Sequence, residues 1–163
     1  MTTVAFIGLG AMGYRMAAHL PQHFDSVLVW NRNFEKAKQH AAEFNTQAVT
    51  LNEATQADII FSCLPTSDQV DAIIHQVEIK PGAIWIDCTS GVPDMARTQA
   101  IYLKSKNVAF LDAPVSGQTI GAENATLTFM VGGDAETFNQ ALPAMQALGK
   151  LIKHVGESGA GFA

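Results

Sequence analysis

The sequence predicts an α/β fold of the Rossmann type, a doubly wound and mainly parallel sheet with extra strands towards the C-terminus. Two observations predict it. Short apolar runs alternate with stretches in which apolar residues recur at helical spacing, which is the pattern of a βαβ series. The first apolar run ends in Gly8-Leu9-Gly10-Ala11-Met12-Gly13, a Gly-x-Gly-x-x-Gly turn that opens into a helix. A turn of this kind between a strand and a helix is typical of dinucleotide-binding domains.

Each glycine of this turn has a separate predicted task. Gly8 permits the tight turn out of the strand, Gly10 lets a pyrophosphate approach the backbone, and Gly13 lets the helix lie close to the strand. The first turn of the helix offers free N–H groups and the positive end of its dipole to phosphates. The same spacing also occurs in plain tight turns, but its position between strand and helix favours nucleotide binding. The predicted cofactor contacts here are Gly8, Leu9, Gly10, Ala11, Met12 and Gly13.

Length and composition narrow the class of protein. A chain of 163 residues with 48% hydrophobic residues fits one globular domain. Its net charge of −5 and the lack of a basic cluster argue against nucleic-acid binding. No apolar run approaches the roughly 20 residues of a membrane span, and no signal peptide precedes the first strand. Cys63 and Cys88 lack metal-ligand spacing, so we expect two small buried thiols in a reduced, cytoplasmic protein without a metal site.

The individual elements follow from periodicity and from residues that start or stop them. The predicted strands cover residues 4–7, 26–30, 47–49, 58–64, 83–87 and 108–112. The predicted helices cover residues 14–20, 34–43, 67–74 and 94–104, with a short helix after residue 52. The run at 58–64 is apolar almost throughout, as in a strand buried on both faces, and Pro65 ends it. Asn52 is the predicted cap of the short helix.

The last third of the sequence departs from the regular alternation of strands and helices. Strands are predicted at residues 126–131 and 151–155, on either side of a helix at 135–148 that Asp134 caps. No long helix precedes the first of these strands, so the regular βαβ alternation stops there. We expect these strands to extend the sheet, and the pattern leaves their directions open.

The end of the second predicted strand indicates which nucleotide is bound. Sites that prefer NAD place an acidic residue there, about 20 residues after the glycine turn, where it holds the ribose 2′-hydroxyl. This chain has Asn31, Arg32 and Asn33 instead, so no carboxylate repels a 2′-phosphate. The guanidinium of Arg32 is a suitable partner for that phosphate, and Asn31 can bond the ribose. The residues therefore predict NADP, with NAD as second choice, although Arg32 could also be a solvated loop residue.

Four sequence blocks resemble the β-hydroxyacid dehydrogenase family, which includes 3-hydroxyisobutyrate dehydrogenases, tartronate semialdehyde reductases and glyoxylate reductases. The blocks are Phe6–Gly13, Cys63-Leu64-Pro65, Asp87-Cys88-Thr89-Ser90, and Asp112–Gly117 with its continuation through Thr126-Leu127-Thr128 to Gly133. They occur in the family's order and cover essentially the whole chain. The stretch Trp30-Asn31-Arg32 is similar to the NADP-preferring branch of the family.

The resemblance implies roles for residues at two further strand ends. Leu64 and Pro65 would pack against the cofactor, Gln69 would lie near its adenosine half, and Thr89 would lie by the nicotinamide ribose. For Thr89 the alternative is a residue at the start of a helix.

The resemblance also implies a substrate site. Ser116 and Gly117 would receive the substrate carboxylate, and the alternative for them is an ordinary Ser-Gly turn. Gln118 stands beside them where the family commonly has a glycine, and Ala125 stands at another family glycine position. These departures leave the identity of the acid open.

No catalytic residue is assigned within the chain. By resemblance, the catalytic lysine would fall two positions after Ala163, followed by a helical domain that binds substrate and forms a homo-oligomer. Residues 1–163 would then be the NADP-binding domain, inactive alone. We expect the five histidines to have packing or surface roles. Asp112, which ends a strand before Pro114, is expected to accept backbone N–H bonds rather than act as a base.

The resemblance thus implies a hydride transfer between NADP(H) and a small 3-hydroxy acid or its semialdehyde. Two alternatives remain at this point. One is an imine-reductase-like enzyme on the same scaffold, which would suit the unusual Gln118, and the other is a non-catalytic cofactor-binding module.

Overall fold

A computed structural model describes residues 2–163, and a nine-stranded sheet forms its centre. The strands are β1 (Thr3–Ile7), β2 (Ser26–Trp30), β3 (Gln47–Ala48), β4 (Ile59–Ser62), β5 (Ile84–Asp87), β6 (Ala109–Asp112), β7 (Val115–Ser116), β8 (Leu127–Gly132) and β9 (Gly149–Gly156). The helices are α1 (Ala11–Ala17), α2 (Phe34–Phe44), α3 (Leu51–Ala54), α4 (Ser67–Gln76), α5 (Pro93–Ser105), α6 (Gln118–Asn124) and α7 (Ala135–Gln146). A single 3₁₀ turn at Leu20–Gln22 precedes β2.

The strand order confirms the predicted Rossmann-type fold. It runs β3-β2-β1-β4-β5-β6-β8-β7, and β9 pairs with β8. The first six strands are parallel, whereas β8 runs antiparallel to β6 and β7, and β9 is parallel to β8. The structure therefore gives the two C-terminal strands the directions that the pattern left open.

Helices cover both faces of the sheet, so the strands between them are buried on two sides. One apolar core includes residues of α1, α2, α6 and α7, and the other includes residues of α3, α4 and α5. Strand β4 is buried at every position, as its almost entirely apolar sequence predicted. The chain leaves β1 towards β2 on one side of the sheet, while β4 pairs with the other side of β1. The crevice at this reversal is where sheets of this kind bind ligands.

Element boundaries differ from the prediction by up to three residues, and the clearest differences are in α3, α1 and β4. The short helix α3 is capped by Thr50 and not by Asn52, because Thr50 and Glu53 form a reciprocal capping box. Helix α1 begins at Ala11 and ends at Ala17, so the last three glycine-turn positions, Ala11, Met12 and Gly13, are already helical. Strand β4 is shorter than the predicted run at 58–64.

The sequence analysis missed β7 and α6, which follow the predicted strand at Asp112. Both are short. Helix α6 begins at Gln118 with φ 58° and is followed by Ala125 with φ 56°, and both residues have left-handed backbone angles. Glycine adopts this conformation without steric penalty and other residues rarely do. The two departures from the family's glycines therefore fall where the backbone favours glycine.

Candidate functional site

A groove of about 650 Å³ lies at the carboxyl ends of β1, β2 and β4. Four segments line it: the glycine turn, the end of β2, the loop after β4, and the exposed side of α4. Their lining residues are Gly8, Gly10, Ala11, Met12, Gly13, Trp30, Asn31, Arg32, Cys63, Leu64, Pro65, Gln69, Ala72, Ile73 and Gln76. Since β1 lies between β2 and β4, the groove opens at the point where the strand order reverses.

The three glycines are required for different geometric reasons. Gly8 has a φ of 100°, and a Cβ there would lie 2.3 Å from the carbonyl oxygen of Cys63. A Cβ on Gly13 would lie 2.0 Å from the carbonyl oxygen of Gly8, because α1 packs directly against the end of β1. A Cβ on Gly10 would meet no protein atom within 4 Å. Gly10 therefore borders open space in the groove, while Gly8 and Gly13 are fixed by packing.

Asn31 holds the glycine turn in place. Its Oδ1 accepts the Leu9 N–H at 2.8 Å, and its Nδ2 donates to the carbonyl oxygen of Asn33 at 3.0 Å. Asn33 in turn caps α2 by accepting the N–H of Glu35. The sequence analysis expected Asn31 to bond a ribose and missed this brace between β2 and the turn. Leu9 is fully buried and Asn33 lies outside the groove lining, so both support the glycine turn without lining the groove.

Arg32 is an exposed cation at the end of the groove that β2 forms. Within residues 2–163 it forms none of the ion pairs, which leaves its guanidinium available to an anion. Lys36, one turn into α2, has its Nζ 5.8 Å from the centre of the Tyr14 ring. It lines a second concavity that also borders Gly10 and Ala11. Two cations thus stand on the side of the glycine turn that faces α2.

A hydrogen-bond network connects the groove wall to the buried end of β5. The backbone N–H of Leu64 donates to Oγ1 of Thr89 at 3.0 Å, and the Thr89 N–H donates to Oδ1 of Asp87 at 3.0 Å. Thr89 is buried beneath Leu64 and lies outside the groove lining. It does not start a helix, because α5 begins at Pro93.

The Asp87 carboxyl group is enclosed by protein. The Ser62 hydroxyl donates to its Oδ1 at 2.9 Å, and the indole N–H of Trp85 donates to Ser62 at 2.9 Å. Its other oxygen, Oδ2, is buried and has no hydrogen-bond partner among residues 2–163. Burial raises the pKa of Asp87 to about 6.

The two thiols lie beside this carboxyl group. Burial, with a smaller contribution from the nearby Asp87, raises the pKa of Cys63 to about 11. The pKa of the fully buried Cys88 is also raised well above that of a free thiol, chiefly by burial. Neutral thiols are poor nucleophiles, so neither cysteine is prepared for covalent catalysis. Cys88 is buried as expected, whereas Cys63 is only half-buried at the groove.

The three residues that the resemblance linked to substrate lie farther along the same edge. Strand β7 pairs with β8 through Val115 and Ser116 and continues beyond the carboxyl end of β6. Ser116, Gly117 and Gln118 are all exposed there and do not line the groove. From the glycine turn the edge passes Leu64 after β4 and Thr89 after β5, and then reaches Ser116 beyond β6. The sequence-predicted cofactor and substrate residues therefore follow one another along one edge.

Asp112 accepts backbone N–H bonds, as expected. Its carboxylate receives three of them, from Gly159 at 2.9 Å, Gly161 at 2.8 Å and Phe162 at 3.1 Å. All of the donors belong to the turn that follows β9, and the Phe162 ring packs close to Gly91 in the loop after β5. Asp112 thus fastens the C-terminal turn to the carboxyl end of the sheet.

Replacing Asp112 with Asn is expected to lower the free energy of unfolding by about 3 kcal/mol. The amide keeps one acceptor oxygen, and its NH₂ group must face a backbone N–H donor without a partner. Urea denaturation measures the change, and a fall of about 6–12 °C in the melting temperature should accompany it.

Asp134→Asn is the matched control for this substitution. Asp134 accepts the Thr137 N–H at 3.1 Å as the exposed cap of α7, and Asn is an equally good cap. We therefore expect a change below about 0.5 kcal/mol there. Equal effects of the two substitutions would show that Asp112 does not fasten the turn.

The histidines take part in packing and local hydrogen bonds. His40 is buried between the carbonyl oxygen of Tyr14 and the Thr46 hydroxyl, and burial lowers its pKa. His154 bonds the carbonyl oxygen of Gly133 at 2.7 Å and stacks on Phe138. His19 bonds the carbonyl oxygen of Ala122 and joins α1 to α6.

No helix within residues 2–163 is long and apolar enough to cross a bilayer.

Comparison with known proteins agrees with this geometry. Residues 3–156 match the family described as the NAD binding domain of 6-phosphogluconate dehydrogenase. An uncharacterized oxidoreductase of Shewanella frigidimarina is 40% identical over 168 residues, covering 99% of this chain and 58% of that protein. The NAD-dependent L-serine dehydrogenase of Pseudomonas aeruginosa is 38% identical over 167 residues, covering 99% of this chain and 56% of that protein.

A solved structure shows the same architecture. The 3-hydroxyisobutyrate dehydrogenase of Mycobacterium tuberculosis with L-serine superposes with a TM-score of 0.94 at 36% identity, covering 99% of this chain and 57% of that one. Fold and groove together define a pyridine-nucleotide-binding domain. The chain belongs to the β-hydroxyacid dehydrogenase family and corresponds to its N-terminal NAD-binding domain. It spans 58% of the length of the Shewanella relative.

Proposed function

We propose that the chain is the cofactor domain of an oxidoreductase that transfers a hydride between NADP(H) and a small 3-hydroxy acid or its semialdehyde. The observation that carries the proposal is the groove at the reversal of strand order, where Gly10 borders open space beside the first turn of α1. The nicotinamide ring would carry the hydride, while the protein would bind and orient it. Membership of a dehydrogenase family supports this chemistry.

The groove offers suitable contacts along its length. Ala11 and Met12 line the groove in the first turn of α1, where helix geometry leaves their N–H groups without partners inside the helix, so a pyrophosphate would fit beside Gly10. Leu64, Pro65 and Ile73 supply an apolar wall for a flat ring system, and Gln69 adds an amide. Ile73 and its neighbour Ala72 were missed from the sequence, because their exposure on α4 depends on how that helix packs.

Arg32 supports NADP as the preferred nucleotide. It lines the groove directly after Trp30 at the end of β2, with no acidic side chain in the groove lining. A 2′-phosphate there would gain a charge-assisted hydrogen bond and would meet no repelling carboxylate. NAD remains the second choice, since the Pseudomonas relative is an NAD-dependent enzyme.

The preference can be tested by replacing Arg32 with Ala. A charge-assisted hydrogen bond contributes roughly 1.5–3 kcal/mol, so the affinity for NADP should fall about 10- to 100-fold. The affinity for NAD should change less than about threefold, because NAD lacks the phosphate that Arg32 would bind. Isothermal calorimetry with both nucleotides measures the two dissociation constants.

Lys36→Ala is the control for loss of positive charge near the site. Its ammonium lies over the Tyr14 ring and outside the groove lining, so we expect a smaller loss of NADP affinity than for Arg32. An unaltered protein that binds NAD as tightly as NADP, or more tightly, would contradict the assignment of NADP.

The substrate end of the proposed site is the exposed loop at Ser116, Gly117 and Gln118. A hydroxyl group and backbone N–H groups there would receive a carboxylate, and the Gln118 amide would narrow the choice of acid. We further propose that a general acid, by resemblance a lysine, and a helical domain for substrate binding and oligomerisation follow residue 163 in the whole protein. The greater length of the relatives supports this proposal. We place the protein in the cytoplasm, where its two thiols stay reduced.

A further inference from the structure

Asp87 lies at the bottom of a hydrogen-bond network that reaches the groove. Its Oδ1 accepts the Thr89 N–H, and Oγ1 of the same Thr89 accepts the Leu64 N–H, each at 3.0 Å. Leu64 lines the groove, whereas Thr89 and Asp87 are buried behind it. Two consecutive hydrogen bonds therefore link the buried carboxyl group of Asp87 to the backbone of Leu64 in the groove wall.

We propose that Asp87 is a positioning residue for the nucleotide: through Thr89 it fixes the backbone at Leu64, and its charge state sets the affinity of the groove. This inference rests on the proposed function, because it requires that the groove bind a nucleotide. Asp87 would not touch the nucleotide itself.

The arrangement of the carboxyl group points to a role for its charge. Oδ1 receives the Ser62 hydroxyl and the Thr89 N–H, yet Oδ2 is buried without a partner within residues 2–163. A neutral amide could accept the same two bonds at Oδ1 without burying a charge. A neutral acceptor would be enough to hold Thr89 in place, yet the structure buries an ionisable carboxyl group there.

Few ionisable groups surround Asp87. Asp112 stands opposite it on β6 at the same register position, and the proximity of that carboxylate adds to the raised pKa. Cys63 from the loop after β4 and Cys88 next along the chain also face it, but both thiols are neutral across the physiological range. The two thiols therefore contribute no change of charge near pH 6.

The direction of the pH effect follows from the charge. Burial raises the pKa of Asp87 to about 6, so the carboxylate is ionised at pH 8 and mostly protonated at pH 5. A charged acceptor holds Thr89 more strongly than a neutral one, by a factor of about five for one bond. We therefore expect nucleotide affinity to be about fivefold lower at pH 5 than at pH 8, with the change centred near pH 6.

The first experiment measures the dissociation constant of NAD by calorimetry from pH 5 to pH 8. NAD is the probe because the 2′-phosphate of NADP itself titrates near pH 6. The unaltered protein should show the fivefold change, and Asp87→Asn should bind weakly at every pH. The criterion is the difference between these two proteins, because every other ionisable group is common to both.

Ser62→Ala is the matched control. It removes a hydrogen bond to the same carboxylate oxygen and leaves the Trp85 N–H without its acceptor, so it should cost stability as a structural change would. It leaves Thr89 in place, and the lost hydrogen bond had favoured the ionised form of Asp87. The pH dependence of NAD binding should persist in this variant, with its midpoint moved to higher pH.

The second experiment needs neither a nucleotide nor a stable Asp87→Asn protein. The amide resonance of Leu64, followed by NMR, should titrate near pH 6 in the unaltered protein and at higher pH in Ser62→Ala. A Leu64 amide that does not titrate in this range overturns the inference. The inference is also overturned if NAD binding shows the same pH dependence in the unaltered protein and in Asp87→Asn. In that case the proposed function still stands. Failure to bind any nucleotide at any pH overturns the proposed function together with this inference.

Discussion

Replacing Gly10 with Val is expected to weaken nucleotide binding at least 100-fold and leave the domain folded. The added side chain meets no protein atom where its Cβ begins, so the fold does not resist it. It would instead fill the space beside the first turn of α1 where the pyrophosphate would lie. Fluorescence titration with NADPH measures the loss of binding, and a thermal melt close to that of the unaltered protein shows that the fold is kept.

Gly13→Ala is the informative contrast, because it is the smaller substitution in the same turn. Its Cβ would lie 2.0 Å from the carbonyl oxygen of Gly8, which is backbone and cannot move aside as the end of a flexible side chain could. We expect a loss of about 3 kcal/mol or more in the free energy of unfolding.

A Gly10→Val protein that still binds NADPH would show that the motif is only a tight turn.

Much of the fold could be predicted because its signals are local. The turn at Gly8–Gly13 joins a strand to a helix within a few residues, and β4 is buried at every position and apolar apart from Ser62. Helix α2 shows its apolar side at regular spacing. Such features depend on neighbours in the sequence, which are visible before the chain folds.

The errors occurred where more distant residues decide the structure. Strand β7 exists only because Val115 and Ser116 pair with β8, and such a two-residue strand carries no periodic signal. The cap of α3 was assigned to Asn52 from residue type alone, whereas the reciprocal bonds between Thr50 and Glu53 select a start two residues earlier. The directions of β8 and β9 likewise follow from packing of α7 against the sheet.

The candidate site likewise combines features with a local sequence signal and features that depend on residues distant in the sequence. The glycines and Arg32 could be located from the motif and its distance to the end of β2, and the groove lining includes them. The second function of Asn31 could not, because its bond to Leu9 joins residues 22 positions apart. Neither could the network beneath Leu64, since its members come from two strands and Thr89 resembles an ordinary helix start in the sequence.

The chain of residues 1–163 is expected to show no measurable hydride transfer by itself, whereas the whole protein should oxidise NADPH. In the described structure, Asp112 holds the turn after β9, and His154 bonds a backbone carbonyl, so neither is free to exchange a proton with a substrate. Loss of a positioned general acid or base typically lowers the rate by about 10²–10⁴, and an exposed Ser116 loop adds the loss of substrate positioning.

The measurement is NADPH oxidation with glyoxylate, succinic semialdehyde and methylmalonate semialdehyde, for residues 1–163 and for the whole protein side by side. Nucleotide titration of both proteins is the control, because equal NADPH affinity separates lost catalysis from lost binding. Turnover by residues 1–163 at a rate comparable with the whole protein would contradict the proposal, and the general acid would then have to lie among the residues described. Ser116 would be the first to examine, since its hydroxyl is exposed beside the left-handed Gln118 at the proposed carboxylate site.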